Sequence, residues 1–132
     1  MNLPRILVAD DDDSVRSLLR LTLPAGGVEV VEARDGEEAL ELISSHAPDL
    51  LLLDWNMPGR PGADVLAEVR RSHPTLPVIV LTADQAESTH ALAGALGADT
   101  FLTKPFSPLE LLEAVESFLP ELAGDQSLTD AE

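Results

Sequence analysis

Polar residues suited to phosphoryl chemistry directly follow four apolar runs of this chain. In chain order these residues are Asp10, Asp11, Asp54, Thr82 and Lys104. If each apolar run is a strand of one parallel sheet, the polar residues collect at the carboxyl edge of that sheet, where open α/β sheets place their functional groups. Three carboxylates, one hydroxyl and one ammonium group are therefore predicted to share one cleft.

Each group in this set has a physical role. Clustered carboxylates repel one another, and a hard divalent cation such as Mg²⁺ relieves that repulsion. A carboxylate beside the cation can act as a nucleophile on a phosphoryl group. The cation, a lysine and a hydroxyl can then neutralise the phosphoryl oxygens. Lys104 is the only lysine in the chain, and it stands at the end of an apolar run.

Five short runs alternate with helical patterns and form the scaffold that must position these groups. The predicted strands are Ile6–Ala9, Val28–Glu32, Asp49–Leu53, Pro77–Leu81 and Thr100–Thr103. The first, third and fourth are almost wholly apolar, as is typical of parallel strands covered on both faces, and the other two are expected nearer the sheet edges. Alternating strands and helices predict a five-stranded parallel sheet in a doubly wound (βα)5 three-layer sandwich.

Helix starts are marked by capping patterns. Asp35–Glu38 and Asp84–Glu87 each place an acidic N-cap three residues before a glutamate, and Ser107–Glu110 adds a proline at the first helical position. Asp12 and Asp13 are interpreted as solvated caps, because helix N-termini favour anions. The last helix, ending near Pro120, is expected to bury four apolar side chains: Leu111, Leu112, Val115 and Phe118.

Length and charge limit the function. A chain of 132 residues with a net charge of −16 is expected to be one globular domain, and its charge argues against binding nucleic acid or anionic membranes. It has no cysteine, which excludes disulfides and thiolate metal sites. The first residues do not form a signal-peptide pattern, and no apolar stretch approaches the roughly 20 residues of a membrane span. We therefore expect a cytoplasmic protein.

Four segments resemble the signature segments of bacterial response-regulator receiver domains. They read ILVADDDDSVR, LLLLDWNMP, VIVLTA and FLTKPF, in the same order and spacing as in that family. The resemblance covers about residues 4–119, and DWNMP is particularly similar to the chemotaxis receivers. It implies a flavodoxin-like fold, with a receiver domain over 1–120. Residues 121–132 are polar and acidic, and we expect them to form a flexible tail.

The resemblance also implies roles for individual residues. Asp54 would be both the phosphoacceptor and a Mg²⁺ ligand, Asp11 a direct Mg²⁺ ligand and Asp10 a ligand through water. The backbone carbonyl of Asn56 would complete the metal's protein shell. Lys104 would hold phosphoryl oxygens and would be joined to Pro105 by a cis peptide bond.

A second group of residues would transmit the signal. Thr82, which would also hold a phosphoryl oxygen, is expected to move together with the switch aromatic Phe101. The moving surface would be formed by the fourth helix, fifth strand and fifth helix. The sequence departs from the family at Phe101, where tyrosine is frequent, and at Gly59–Pro61, which puts contacts with a kinase in doubt. Trp55 is interpreted as a partly buried neighbour of the site, and His46, His73 and His90 as polar, helix-end or helix-surface residues without a metal or phosphotransfer role.

The implied function is a phosphorylation-activated switch of a two-component system. The phosphodonor would be a sensor histidine kinase or a histidine phosphotransfer protein, and the output an unidentified protein target. The chain would catalyse only its own phosphoryl transfer and dephosphorylation. It would not bind nucleic acid or membranes directly, and would be either a monomer or a phosphorylation-dependent dimer.

Two alternatives use the same residues differently. Asp10-x-Asp12-x-Ser14 matches the opening motif of haloacid-dehalogenase-type phosphatases, with Asp10 as nucleophile, but no clear acidic metal motif follows Lys104 and Asp54 would have no role. A flavodoxin-like cofactor binder would need a phosphate-cradling loop after the first strand, where this chain instead carries acids that repel phosphate.

Overall fold

Strands and helices alternate through the chain in a computed structural model that describes residues 3–83, 86–120 and 122. The strands are β1 (Arg5–Ala9), β2 (Glu29–Ala33), β3 (Leu50–Asp54), β4 (Val78–Thr82) and β5 (Thr100–Thr103). The helices are α1 (Asp13–Thr22), α2 (Gly36–His46), α3 (Gly62–Ser72), α4 (Glu87–Ala95) and α5 (Pro108–Phe118).

All five strands pair in parallel, in the order β2-β1-β3-β4-β5. Every residue of β3 and β4 is buried, whereas β2 and β5 contain partly exposed residues and form the two edges. The predicted fold class is confirmed, and so is the placement of the less apolar strands at the edges.

Alternate residues of each central strand face opposite sides of the sheet. On β3, Leu50 and Leu52 join a core with residues of α1 and α5, such as Leu19 and Leu111. The intervening residue Leu51 belongs to a second core, formed with residues of α2, α3 and α4. The sheet is therefore covered on both faces, which accounts for its continuous apolar runs.

Strand limits differ slightly from the prediction. β1 begins one residue earlier, at Arg5, and β2, β3 and β4 each begin and end one residue later. The pairing between strands sets these limits. The first β1–β2 pair joins Arg5 to Glu29, so Val28 lies outside the sheet. For β3 and β4 the shift makes Asp54 and Thr82 the last residues of their strands.

Helix caps follow the sequence at α1, α2 and α5. The side chains of Asp12, Asp35 and Ser107 each accept a hydrogen bond from a first-turn N–H, and Ser107 forms a reciprocal capping box. The cap proposed at Asp84 lies outside the described residues. The start of α4 was predicted wrongly, because its N-cap is Ala86, whose side chain has no hydrogen-bond acceptor.

The last helix is less deeply buried than predicted. Leu111 and Val115 are buried, but Leu112 and Phe118 are only half-buried, and α5 ends at Phe118. Apart from Leu122, the proposed tail lies outside the described residues, so the boundary between domain and tail stays a prediction.

Candidate functional site

The five chemically suited residues lie at the carboxyl ends of four neighbouring strands. Asp10 and Asp11 follow β1, Asp54 and Thr82 end β3 and β4, and Lys104 follows β5. Asp10 and Thr82 are fully buried and Asp54 is only 4% exposed. Buried carboxylates need nearby partners, so this edge of the sheet differs from ordinary solvated loops.

The three aspartates form one cluster. Asp10, Asp11 and Asp54 each offer a carboxylate oxygen, and these oxygens lie within 4.8 Å of one another. Asp11 is exposed while the other two are buried, so the cluster is open on the Asp11 side. Oxygen ligands at this spacing fit a hard divalent cation that keeps several waters, as Mg²⁺ does.

Lys104 approaches the cluster from the β5 edge of the sheet, whereas Asp10 and Asp11 follow β1 on the other side of β3. Its Nζ lies 2.9 Å from Oδ2 of Asp10 and 3.4 Å from Oδ1 of Asp54. Its backbone N–H donates to the carbonyl of Thr82 at 2.8 Å, which ties the end of β5 to the end of β4. The peptide bond from Lys104 to Pro105 is cis, the geometry that the resemblance implied.

Burial and charge shift two pKa values in the cluster. Burial, reinforced by the charge of Asp10, raises the pKa of Asp54 from 3.8 to about 6, although Lys104 opposes the change. For Lys104, burial acts to lower the pKa, but the hydrogen bond to Asp10 and the charge of Asp54 outweigh it, and the pKa is raised. Without a cation, the ammonium group is therefore the counter-charge of the acids.

The loop after β3 lies close to the acceptor. The N–H of Asn56 donates to Oδ1 of Asp54 at 3.2 Å, and Trp55 is half-buried, as predicted. A Cβ on Gly62 would lie 2.7 Å from the Cα of Trp55, so only glycine lets α3 start this close to the loop.

Sequence reasoning missed the contacts of two residues. Arg16 of α1 is buried, and its guanidinium donates to the carbonyl of Asp10 at 2.7 Å. The only sequence signal was a basic residue three positions after Asp13. His90, which was expected on a helix surface, is half-buried: its ring stacks on Phe101 and its Nε2 is buried. The near-featureless helical pattern of α4 gave no facing direction for this residue.

The comparisons agree with this geometry. The family model of the response regulator receiver domain matches residues 6–116. The chain belongs to this family. Its domain is therefore a phosphorylation-activated switch of a two-component system, and receiver domains bind Mg²⁺ at an acidic pocket of the kind formed by Asp10, Asp11 and Asp54.

Individual relatives support the assignment. The chain is 40% identical, over 87% of its length, to the alkaline phosphatase synthesis transcriptional regulatory protein PhoP of Bacillus subtilis. It spans about half of that relative, 48%. A putative response regulator from Chloroflexus aurantiacus is 38% identical with a TM-score of 0.84, over 90% of this chain and 99% of that one. Chemotaxis protein CheY4 of Vibrio cholerae is 31% identical with a TM-score of 0.83, over 88% and 98%.

The findings also bear on the phosphatase alternative and on the expectation that the chain has no membrane span. Neither the family match nor the relatives support the phosphatase that would use Asp10 as nucleophile. No helix in the described part of the chain is long and apolar enough to cross a bilayer.

Proposed function

We propose that Asp54 is the residue that accepts the phosphoryl group, and that Asp10, Asp11, Asp54 itself and the Asn56 carbonyl are the protein's Mg²⁺ ligands. The observation that carries the proposal is the position of the Asp54 carboxylate. It ends the buried strand β3, shares a 4.8 Å cluster with the two other acids, and lies 3.4 Å from Nζ of Lys104. A nucleophile and the groups that neutralise an incoming phosphoryl group are thus adjacent.

Each side chain has one role in the proposed phosphoryl transfer to Asp54. An Asp54 oxygen forms a bond to phosphorus as the bond from phosphorus to a donor histidine nitrogen breaks, and the histidine leaves with the electron pair. Lys104 and the Thr82 hydroxyl hold phosphoryl oxygens. A bound Mg²⁺ supplies positive charge that stabilises the transferring group and lowers repulsion between acids. The domain thus catalyses its own phosphorylation and dephosphorylation and acts on no other substrate.

The proposal also names the phosphodonor and the compartment in which the domain acts. The donor is a sensor histidine kinase or a histidine phosphotransfer protein, and the reaction takes place in the cytoplasm. The relative PhoP is a transcriptional regulatory protein about twice as long as the matched region, so its output does not carry over to this domain. Because the chain has a net charge of −16, the domain acts on a protein target and not directly on nucleic acid.

The surface that responds comprises α4, β5 and α5. Phosphorylation draws the Thr82 hydroxyl toward the phosphoryl group, and Phe101 on β5 moves with it. Phe101 is half-buried and stacks on His90 of α4, with ring centroids 4.5 Å apart and planes inclined by 12°. A movement of Phe101 therefore changes the packing between α4 and β5, which biases a pre-existing equilibrium between two surface states.

Trp55 offers a direct test. It is the only tryptophan, the chain has no tyrosine, and it follows Asp54. Mg²⁺ should change its fluorescence saturably, and beryllofluoride, a phosphoryl mimic, should change it further only when Mg²⁺ is present. The order follows because an anion can approach this acidic cluster only after a cation has neutralised part of it.

Matched variants make the titration specific. Asp11→Ala should lose the Mg²⁺ response, whereas Glu113→Ala, which removes an exposed acid on α5, should keep it. A beryllofluoride response without any divalent cation would contradict the proposal. So would an Mg²⁺ response that survives the loss of both Asp11 and Asp54.

A further inference from the structure

Arg16 is the only cationic residue that is buried in the described part of the chain. The residue is 7% exposed, and it lies on α1, the helix that follows the acidic pair. A buried guanidinium is unfavourable unless its donors are paired. Its partners therefore indicate why the chain keeps it there.

The Arg16 guanidinium bridges three segments around the metal cluster. Nη1 donates to the backbone carbonyl of Asp10 at 2.7 Å, and Nε donates to Oε1 of Glu32, on β2, at 3.1 Å. Nη2 pairs with Asp13 in the first turn of α1. The planar guanidinium spreads these contacts over three nitrogens in a fixed geometry, whereas the donors of a lysine share one nitrogen.

The bond to the Asp10 carbonyl matters most for the site. Asp10 is held at its N–H by the carbonyl of Ala33, and one side-chain oxygen accepts from the N–H of Asp12 at 2.9 Å. Arg16 holds the remaining backbone group, the carbonyl, immediately before Asp11. It thereby fixes the peptide from which the exposed ligand Asp11 extends.

We propose that Arg16 is a positioning residue for the divalent-cation site: it holds the backbone of Asp10 and Asp11 so that both carboxylates face Asp54. This inference rests on the proposed function, because it concerns the same Mg²⁺ ligands. Residues that orient the ligands of a metal typically change its affinity by about 10- to 100-fold when they are mutated.

Electrostatics alone predicts the opposite result, so the sign of the effect is informative. Arg16 carries a positive charge beside a cation site, and removal of that charge would by itself strengthen Mg²⁺ binding. Loss of positioning would weaken it. Arg16→Gln removes the charge and the fork, whereas Arg16→Lys retains a charge without the fork.

Arg70 provides a matched control on the opposite face of the sheet. Its guanidinium likewise donates to backbone carbonyls, at 2.9 Å to Gly97 and 2.6 Å to Leu76, and pairs with Asp99 at 2.9 Å. None of these partners belongs to the acidic cluster. Arg70→Gln therefore removes a comparable anchor without touching the site.

The test is calorimetric titration of Mg²⁺ into wild type, Arg16→Gln, Arg16→Lys and Arg70→Gln, with circular dichroism as a check on folding. Both Arg16 variants should bind Mg²⁺ at least tenfold more weakly than wild type, and Arg70→Gln should stay within twofold even where its melting temperature falls. If Arg16→Gln does not fold, Arg16→Lys decides.

Unchanged or tighter Mg²⁺ binding by a folded Arg16 variant would overturn the inference, as would an equal loss in Arg70→Gln. Failure of the proposed metal site is distinguishable, because wild type itself would then not bind Mg²⁺.

Discussion

Nζ of Lys104 lies closer to Asp10 than to Asp54, at 2.9 Å from Oδ2 of the former and 3.4 Å from Oδ1 of the latter. The ammonium group therefore contacts one of the metal-side acids as well as the acceptor. In the metal-free chain it neutralises carboxylates that a cation would bind. Lys104 and Mg²⁺ thus compete electrostatically for the same acids, although both favour a bound phosphoryl group.

Replacement of Lys104 should separate metal binding from anion binding. Lys104→Ala removes the competing charge, so Mg²⁺ should bind about tenfold more tightly, or roughly 1.4 kcal/mol. Beryllofluoride should bind at least tenfold more weakly, because a charge-assisted hydrogen bond contributes about 1.5–3 kcal/mol. Titrations followed by Trp55 fluorescence measure both steps. Lys104→Arg retains the charge and should leave Mg²⁺ affinity near that of wild type. Equal changes of Mg²⁺ affinity in the two variants would refute the competition between Lys104 and Mg²⁺.

Burial of Asp54, reinforced by the charge of Asp10, should make metal-free stability depend on pH. Burial raises its pKa from 3.8 to about 6, so the folded state holds this proton more tightly than the unfolded chain does. The resulting stabilisation is present below pH 3.8 and is lost as pH rises through about 6.

Asp54→Asn removes the ionisation and should therefore be the more stable protein at pH 7 in EDTA. Its advantage over wild type should shrink as pH falls from 7 to 4. Urea unfolding followed by circular dichroism over this pH range measures the difference. Glu113→Gln, at an exposed position on α5, serves as the control and should follow the wild-type profile. A constant difference between Asp54→Asn and wild type would contradict the raised pKa of Asp54.

The stack between His90 and Phe101 should set how readily the domain switches. Nε2 of His90 is buried without a hydrogen-bond partner among the described residues, and an unsatisfied buried group costs about 1–3 kcal/mol. His90→Phe keeps a ring and removes that nitrogen, so it should stabilise the resting state and weaken beryllofluoride binding several-fold. His90→Ala removes the same nitrogen together with the stack, which is worth about 0.5–1.5 kcal/mol, so it should bind beryllofluoride more tightly than His90→Phe does. Equal affinities of the two variants in calorimetric titrations would exclude a role of the stack.

Two glycines of α3 and α4 should respond oppositely to alanine. A Cβ at Gly62 would meet the Trp55 backbone at 2.7 and 2.8 Å, so Gly62→Ala should destabilise the fold by about 1–3 kcal/mol. Gly94 has nothing within 4 Å of its Cβ position, so Gly94→Ala should stabilise by roughly 0.5–1 kcal/mol. Urea unfolding gives both values. Similar destabilisation by the two substitutions would mean that contact with the Trp55 backbone is not what restricts position 62 to glycine.

The sheet and its acidic edge are predictable from the sequence, because each functional residue directly follows an apolar run that forms a strand. The runs before Asp54 and Thr82 are apolar enough to require burial on both faces, and the topology of a parallel sheet then brings their ends together. The predicted convergence of Asp10, Asp11, Asp54 and Lys104 needs no long-range information beyond that topology.

Arg16 and His90 could not be predicted in the same way. The sequence places Arg16 on a charged helix, where a solvated side chain is the ordinary expectation, and only the packed structure brings the Asp10 carbonyl and Glu32 within its reach. His90 lies among small residues that define no clear helical face, so its contact with Phe101 depends on how α4 packs against β5.

Intact-mass spectrometry tests the central assignment most directly. Wild type and Asp54→Asn are each incubated with Mg²⁺ and a small acyl phosphate, and each is compared with a sample that contains EDTA. The assignment of Asp54 predicts that wild type gains the mass of one phosphoryl group only when Mg²⁺ is present, and that Asp54→Asn gains none. Equal labelling of the two proteins, or labelling of wild type in EDTA, would contradict it.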